Sequence, residues 1–351
     1  MSLNNIEIRP ALTKSDRKVF IKVLWEIYKG EPNWTPPLIV ERMDIINPAK
    51  NPYFQHAEVR LWIAYKDGKP VGRISAQIDD LVEKHHGVKT GHYGFFDCID
   101  DQEVADALFN TACAWLKDNG RTEVIGPFSL SINEETGMLV EGFDTPARLL
   151  MGHARPYFEK LVKNAGLVKV KDTWAYTMDI STPILPPTIQ KLVDRAIDRG
   201  QVTFRPINMD KYEEELKIIL DIFNDAWINN WKYIPFTQAE LDQTVKDLKM
   251  IIREDFTYIA EVDGVPQAMM VTLPNINEII RDFDGKLFPF GVFKLLWRLK
   301  IKPSFRTVRV PLMGVRTEYQ NSRLSGIMSF GLFEACRQSA IKIVCDEAEL
   351  S

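Results

Sequence analysis

Three groups of residues in this chain have types and spacings that could do chemistry. Between residues 281 and 323, ten Lys and Arg stand against three Asp and Glu: Arg281, Lys286, Lys294, Arg298, Lys300, Lys302, Arg306, Arg309, Arg316 and Arg323 carry the positive charge. A field of that density attracts phosphates. It also suits a solvated face, or an interfacial helix on anionic lipid, because Phe290-Gly291-Val292-Phe293-Lys294-Leu295-Leu296-Trp297-Arg298-Leu299-Lys300 interleaves basic and aromatic residues. An inserted helix packed over the fold accounts for the same run and is preferred to membrane contact. The second group is the polar loop 129–137, close to a strand end, where loops carry function. Asn133, Glu134 and Glu135 are its candidates for substrate contact, each with a solvated turn as the plainer alternative. The third group argues by what it lacks. His56, His85, His86, His92 and His153 show no HExxH spacing, no GxSxG elbow occurs, and Cys98, Cys113, Cys336 and Cys345 form no close pair. Metal and serine-hydrolase readings are therefore poor, and no metal ligand is assigned.

These residues need a scaffold, and the composition is that of a globular one. The chain has 351 residues, 45% of them hydrophobic and 26% charged, with a net charge of −4. That argues against disorder and against a strongly basic nucleic-acid binder; no DNA partner is expected. The N-terminus has no basic region followed by an apolar run, and the most apolar stretch, 287–297, is too short and interrupted to span a bilayer. A cytoplasmic location is expected.

The chain repeats itself. Ile6-Glu7-Ile8-Arg9-Pro10 resembles Val202-Thr203-Phe204-Arg205-Pro206, and Trp62-Ile63-Ala64-Tyr65-Lys66-Asp67-Gly68-Lys69-Pro70 resembles Tyr258-Ile259-Ala260-Glu261-Val262-Asp263-Gly264-Val265-Pro266, both at an offset of 196. Each copy reads as a short strand, a helix (17–28 and 212–227), a second helix (38–46 and 239–252) and a hairpin turning at Asp-Gly. The first copy continues with a strand at 92–98, a helix at 103–117 capped near Asp100 or Asp101, a strand at 123–125, a helix at 157–164, and strands at 167–170 and 174–179. Residues 181–188 read as a linker and 189–198 as an extra helix. The second copy carries an insertion at 274–304, then a strand at 307–315, a helix at 327–338 and a strand at 341–345.

That order of elements, with the hairpin 62–74 and the run Val310-Pro311-Leu312-Met313-Gly314-Val315-Arg316-Thr317-Glu318-Tyr319-Gln320, resembles the GNAT N-acetyltransferase superfamily. The whole chain looks like a tandem, two-copy member of uncharacterised bacterial type, and the segment 126–146 has the look of that subgroup. The resemblance implies an α/β (α+β) fold of two GNAT-like domains, each a mixed, mostly antiparallel sheet flanked by helices. The first covers 1–182, a linker and extra helix 183–200, and the second 201–351. It implies acetyl-CoA or another acyl-CoA as co-substrate, with the pantetheine arm along the fourth strand and the pyrophosphate on the following helix N-terminus. Carried over, Met313, Gly314, Val315, Gln320, Asn321, Ser322, Arg323, Leu324, Ser325 and Gly326 are the cofactor-binding residues. Arg323 stands at the family's central glycine, either as a phosphate clamp or as bulk that closes the loop. In the first copy Asp100, Asp101 and Glu103 occupy the corresponding loop, cap their own helix and repel CoA.

No residue is assigned as catalytic base or acid. Tyr157 lies nine residues before Gly166, too far for the family's tyrosine, and reads as a packing residue. The resemblance implies acetyl transfer to a small-molecule amine or peptide acceptor held between the copies. The alternatives are an inactive ligand-binding protein of the same fold, or a transferase using aminoacyl-tRNA. By the repeat offset the second copy lacks its last helix and strands, which reads as truncation at the C-terminus and would leave a sheet edge exposed.

Overall fold

The computed structural model describes residues 5–181, 183 and 185–342, and residues 347–350 by their backbone alone. It divides into two compact units: residues 1–172 with 280–292, and residues 173–279 with 293–351. Residues 173–181 thus lie with the second unit, ahead of the Pro-rich stretch, and part of the insertion lies with the first.

The first unit runs β1 (Ile6–Pro10), α1 (Lys14–Lys22), α2 (Leu24–Ile27), α3 (Ile39–Ile45), β2 (Ala57–Lys66), β3 (Lys69–Asp79), α4 (Asp80–His86), β4 (Thr90–Cys98), α5 (Gln102–Asp118), β5 (Glu123–Ile125) and α6 (Phe158–Asn164). The strands form one sheet in sequence order, with β4 and β5 parallel across α5 and the rest antiparallel. Alternation along β2 sends Trp62 and Ala64 to one face and Leu61 and Ile63 to the other. On the first face Val104, Leu108, Phe109, Ala112 and Leu116 of α5 close the core; on the second, Phe20 and Ile21 of α1 do so. Thr13 caps α1 reciprocally with Asp16, and Asp101 caps α5.

The second unit holds β6 (Tyr176–Asp179), α7 (Pro187–Asp198), β7 (Thr203–Pro206), α8 (Tyr212–Trp227), α9 (Gln238–Leu248), β8 (Thr257–Val262), β9 (Val265–Pro274), most of α10 (Ile276–Ile280) and of α11 (Gly291–Leu296), β10 (Thr307–Val315), α12 (Arg323–Ile341) and β11 (Glu347–Leu350). Its sheet order is β6-β11-β10-β9-β8-β7. The repeat persists in the pairing: Arg9 faces Ile63 as Arg205 faces Ile259. Both hairpins turn through Asp at φ 51° and Gly at φ 76°, and both slip register two pairs from the turn.

Three sequence expectations change. Residues 167–170 form no strand, and their exposed Val168 and Val170 show why alternation misled. The strand expected at 174–179 is β6, and it pairs antiparallel with β11 in the second sheet, covering the edge expected to be exposed. The last strand is at Glu347–Leu350 rather than 341–345; α12 runs through Ile341, and 343–346 lie outside the described residues. Because L-residues resist the left-handed conformation by about 1–2 kcal/mol, Gly68→Ala and Gly264→Ala should each cost roughly that in urea unfolding.

Candidate functional site

The second-unit site begins with a proline. Pro311 has no N–H to give a ladder, and β10 slips register against β9 between Arg309 and Leu312. Pairing of β10 with β11 covers Thr307–Val310, running into that bulge and stopping before Pro311. Beyond it, Leu312, Met313, Gly314 and Val315 face Val271, Met270, Met269 and Ala268 of β9. A Cβ on Gly314 would lie 2.8 Å from that of Ala226, so glycine lets α8 approach. The Trp227 indole N–H donates to the Met313 carbonyl at 2.8 Å.

The loop after β10 is braced by α8. The Thr317 N–H donates to Asp225 at 2.7 Å and the Arg316 guanidinium to Asp221 at 2.6 Å. The Gln320 side-chain amide donates to the carbonyls of Ala226 (2.9 Å) and Val315 (3.0 Å). It works as a strut of the loop. Asn321 and Ser322 are exposed, and the Ser322 hydroxyl accepts from the Ser325 N–H at 3.3 Å, capping α12. Hence Arg323, Leu324, Ser325 and Gly326 form the helix's first turn, which starts earlier than the sequence suggested because serine caps well and Arg323 continues readily. That turn carries no acidic residue, Arg323 is exposed, and a Cβ on Gly326 would meet nothing nearer than 4.0 Å. An open, uncapped-by-carboxylate helix N-terminus suits an anion.

The first unit has the same strand geometry with its own chain in it. Pairing of β4 with β5 ends at His92, and β4 then bulges at Phe95, whose φ is 46°. The following loop lies along the part of β4 that β5 has left. The Phe128 N–H donates to the Tyr93 carbonyl at 2.8 Å, and a Cβ on Gly94 would fall 1.8 Å from the Phe128 carbonyl oxygen. Gln77 donates to the carbonyls of Phe128 (2.5 Å) and Leu130 (3.0 Å), and the Tyr53 hydroxyl donates to the latter at 3.0 Å. At the head of α5, Asp101 accepts from the N–H groups of Glu103 (3.0 Å) and Val104 (3.4 Å) and pairs with Lys66. Burial pulls its pKa up, but Lys66 and those N–H groups hold it below the ordinary carboxylate value.

In the loop 129–137, Asn133, Glu134 and Glu135 are all half-buried. The Asn133 N–H donates to the Ser131 hydroxyl at 3.1 Å, and the Glu135 carboxylate forms an ion pair with Arg42 of α3. Burial works against the Arg42 charge, yet Glu135 and Glu41 raise its pKa. Behind them lies a buried polar cluster that sequence reasoning missed. Arg73 donates to Asp97 at 2.8 Å; the Tyr28 hydroxyl shares its one proton between Asp97 (2.7 Å) and the His153 carbonyl (2.9 Å). Glu31 pairs with Arg155 at 2.9 Å and lies 3.9 Å from the His153 imidazole. Both ring nitrogens of His153 are buried without a hydrogen-bond partner. Partners here are up to 125 residues apart, so no local spacing announces them. Tyr157 donates to the Cys98 carbonyl at 2.9 Å and packs against the core, its pKa pushed up to about 12 by burial. A cavity of about 550 Å³ in the second unit, lined by Met250, Arg253, Tyr258, Leu299 and Lys300 among others, includes none of the cofactor-loop residues.

No family model matches the chain. It is 45% identical over 344 residues to Protein YghO of Escherichia coli, covering 98% of this chain and 87% of that one. It is 41% identical over 348 residues to the bacterial ceramide synthase of Caulobacter vibrioides, covering 99% and 90%. Among solved structures, a tandem GNAT protein from the clavulanic acid biosynthesis pathway superposes with a TM-score of 0.53 at 11% identity, covering 99% of this chain and 89% of that one. The chain belongs to one family with Protein YghO and the bacterial ceramide synthase. Its fold is that of the GNAT N-acyltransferases. Among its described residues no group of His, Cys, Asp or Glu could hold a metal ion.

Two outcomes follow from this geometry. Gly94→Ala drives a methyl group into the Phe128 carbonyl and should cost about 1–3 kcal/mol in denaturant unfolding. Burial holds the His153 imidazole below its ordinary pKa, against the pull of Glu31. Unfolding frees it to protonate near pH ~6.5, so its share of stability is full above that value and is lost as pH falls. The thermal midpoint should therefore drop less between pH ~7 and ~5 in His153→Leu than in the wild type.

Proposed function

We propose that the chain is an N-acyltransferase that joins the acyl group of an acyl-CoA to the amine of a long-chain lipid base, forming an amide and releasing CoA. The observation that carries this reading is the 41% identity, over 99% of the chain, to a protein named a bacterial ceramide synthase. A ceramide is such an amide.

The second unit is the half that suits acyl-CoA. The co-substrate supplies the activated thioester; the chain supplies positions and charge. The first turn of α12, Arg323 to Gly326, offers N–H donors and the positive end of the helix dipole to phosphates, and Arg323 adds a cation beside it. Asn321 and Ser322 flank that turn. Met313, Gly314 and Val315 provide strand backbone for the pantetheine arm and an N–H for the thioester oxygen as charge develops. In the first unit, residues 128–130 and Asp101 fill the equivalent places, which supports one cofactor site per chain. A cytoplasmic location fits the acyl-CoA supply; among the described residues no helix is long and apolar enough to cross a membrane.

One observation favours a second reading, binding without turnover: the Gln320 amide is spent on Ala226 and Val315 rather than offered to a phosphate. Incubation with a long-chain acyl-CoA and a sphingoid base, read by mass spectrometry and thiol release, separates the two. Amide and free CoA in equal amounts are expected; transfer confined to hydrophilic amines would overturn the lipid acceptor, and tight CoA binding with no transfer to any amine would favour the second reading. Arg323→Glu should raise KM for acyl-CoA about tenfold, some 1.4 kcal/mol of lost attraction.

A further inference from the structure

From Gly285 to Thr317 the chain carries eight Lys and Arg and no Asp or Glu. Within this run, α11 and the wider helical turn Trp297–Ile301 that continues it are apolar on two sides. Leu295 and Leu299, four residues apart, are buried. Phe293, Trp297 and Ile301, also spaced by four, are 73%, 54% and 66% exposed. Arg298 donates to the Ile279 carbonyl at 2.6 Å, which helps hold the inner side in place. Lys294, Lys300 and Lys302 are exposed among the outward aromatics. Phe288 and Phe290, just before α11, are exposed as well.

A helix of a soluble protein needs one apolar stripe, the one facing its core. The second stripe here has no core to meet. Its composition identifies what it meets. Protein–protein interfaces are depleted in lysine, and a second copy of this chain would set one carboxylate-free basic run against another. Aromatics anchored beside lysines whose stems run along apolar surface are instead the composition of an interfacial helix.

We propose that this face docks the protein on an anionic lipid bilayer. Phe293, Trp297 and Ile301 enter the boundary between headgroups and acyl chains, and Lys294, Lys300 and Lys302 meet lipid phosphates. The surface follows from exposure and charge and does not depend on the acyltransferase reading. A lipid-facing surface would also explain why an element inside an α/β fold keeps large aromatics in water.

Co-sedimentation of the full chain with vesicles tests it. Phosphatidylcholine vesicles containing roughly a third phosphatidylglycerol should bind the protein at least about tenfold better than pure phosphatidylcholine, and added salt should erase the difference. Phe293→Ser/Trp297→Ser should lower partitioning about tenfold or more on both vesicle types. Lys300→Glu/Lys302→Glu should lower it only on the anionic ones. Both variants change exposed residues, and unchanged circular dichroism establishes that they fold; Ile301→Asn serves if the aromatic pair does not. Absence of vesicle binding, or binding that survives both double variants, overturns the proposal. So does a concentration-dependent dimer that Phe293→Ser/Trp297→Ser abolishes while vesicles remain unbound.

Discussion

Both sheets depend on one constraint: a strand that leaves its neighbour must have its backbone groups answered by something else. Each fourth strand runs parallel to the next for only three or four residues, then bulges. A bulge adds a residue on one strand and increases the local twist, so the paired edges part. Buried N–H and C=O groups cannot be left alone. In the first unit the chain answers them itself, through Phe128 on Tyr93 with Gln77 and Tyr53 pinning the neighbouring carbonyls. The glycine at 94 is the condition for that approach, since any side chain would displace the Phe128 carbonyl.

The same division appears in the charges. The head of α5 is closed by a carboxylate with its own lysine, and the head of α12 is capped by a neutral serine with arginine next to it. One scaffold thus presents two electrostatic signs at equivalent places. Around the first unit's loop, Arg73–Asp97–Tyr28 and Arg42–Glu135 tie β3, β4, the end of α2 and α3 to His153 and Glu135. Removing one partner of such a buried pair strands the other's charge, at about 3–5 kcal/mol. The cluster therefore fixes the loop's position whatever the loop contacts.

Much of this was legible in sequence because it is local. The Asp-Gly turns, the helix 212–227, the strand 307–315 and the aspartate cap of α5 all follow from periodicity and turn chemistry within a dozen residues. The repeat offset carried even the strand register. What was not legible is long-range. Nothing near Tyr28 announces Asp97 or His153, and nothing in 126–130 announces that it lies on β4. The membership of 176–179 was misplaced because adjacency in sequence favoured the first sheet. The role of Gln320 was read from the family motif, and only its bonds to Ala226 and Val315 show a strut.

The strand at 176–179 separates two boundaries that usually coincide. The duplicated sequence begins near residue 202, but the second unit's sheet draws its outermost strand from before that point. Asp179 and its partner Glu347 are 168 residues apart. A ribosome making this chain releases β6 long before β11 exists to receive it, and the second sheet can close only once residues 347–350 have emerged. Contacts of such sequence separation are slow to form. The chain must leave β6 without its partner through most of the second unit's synthesis.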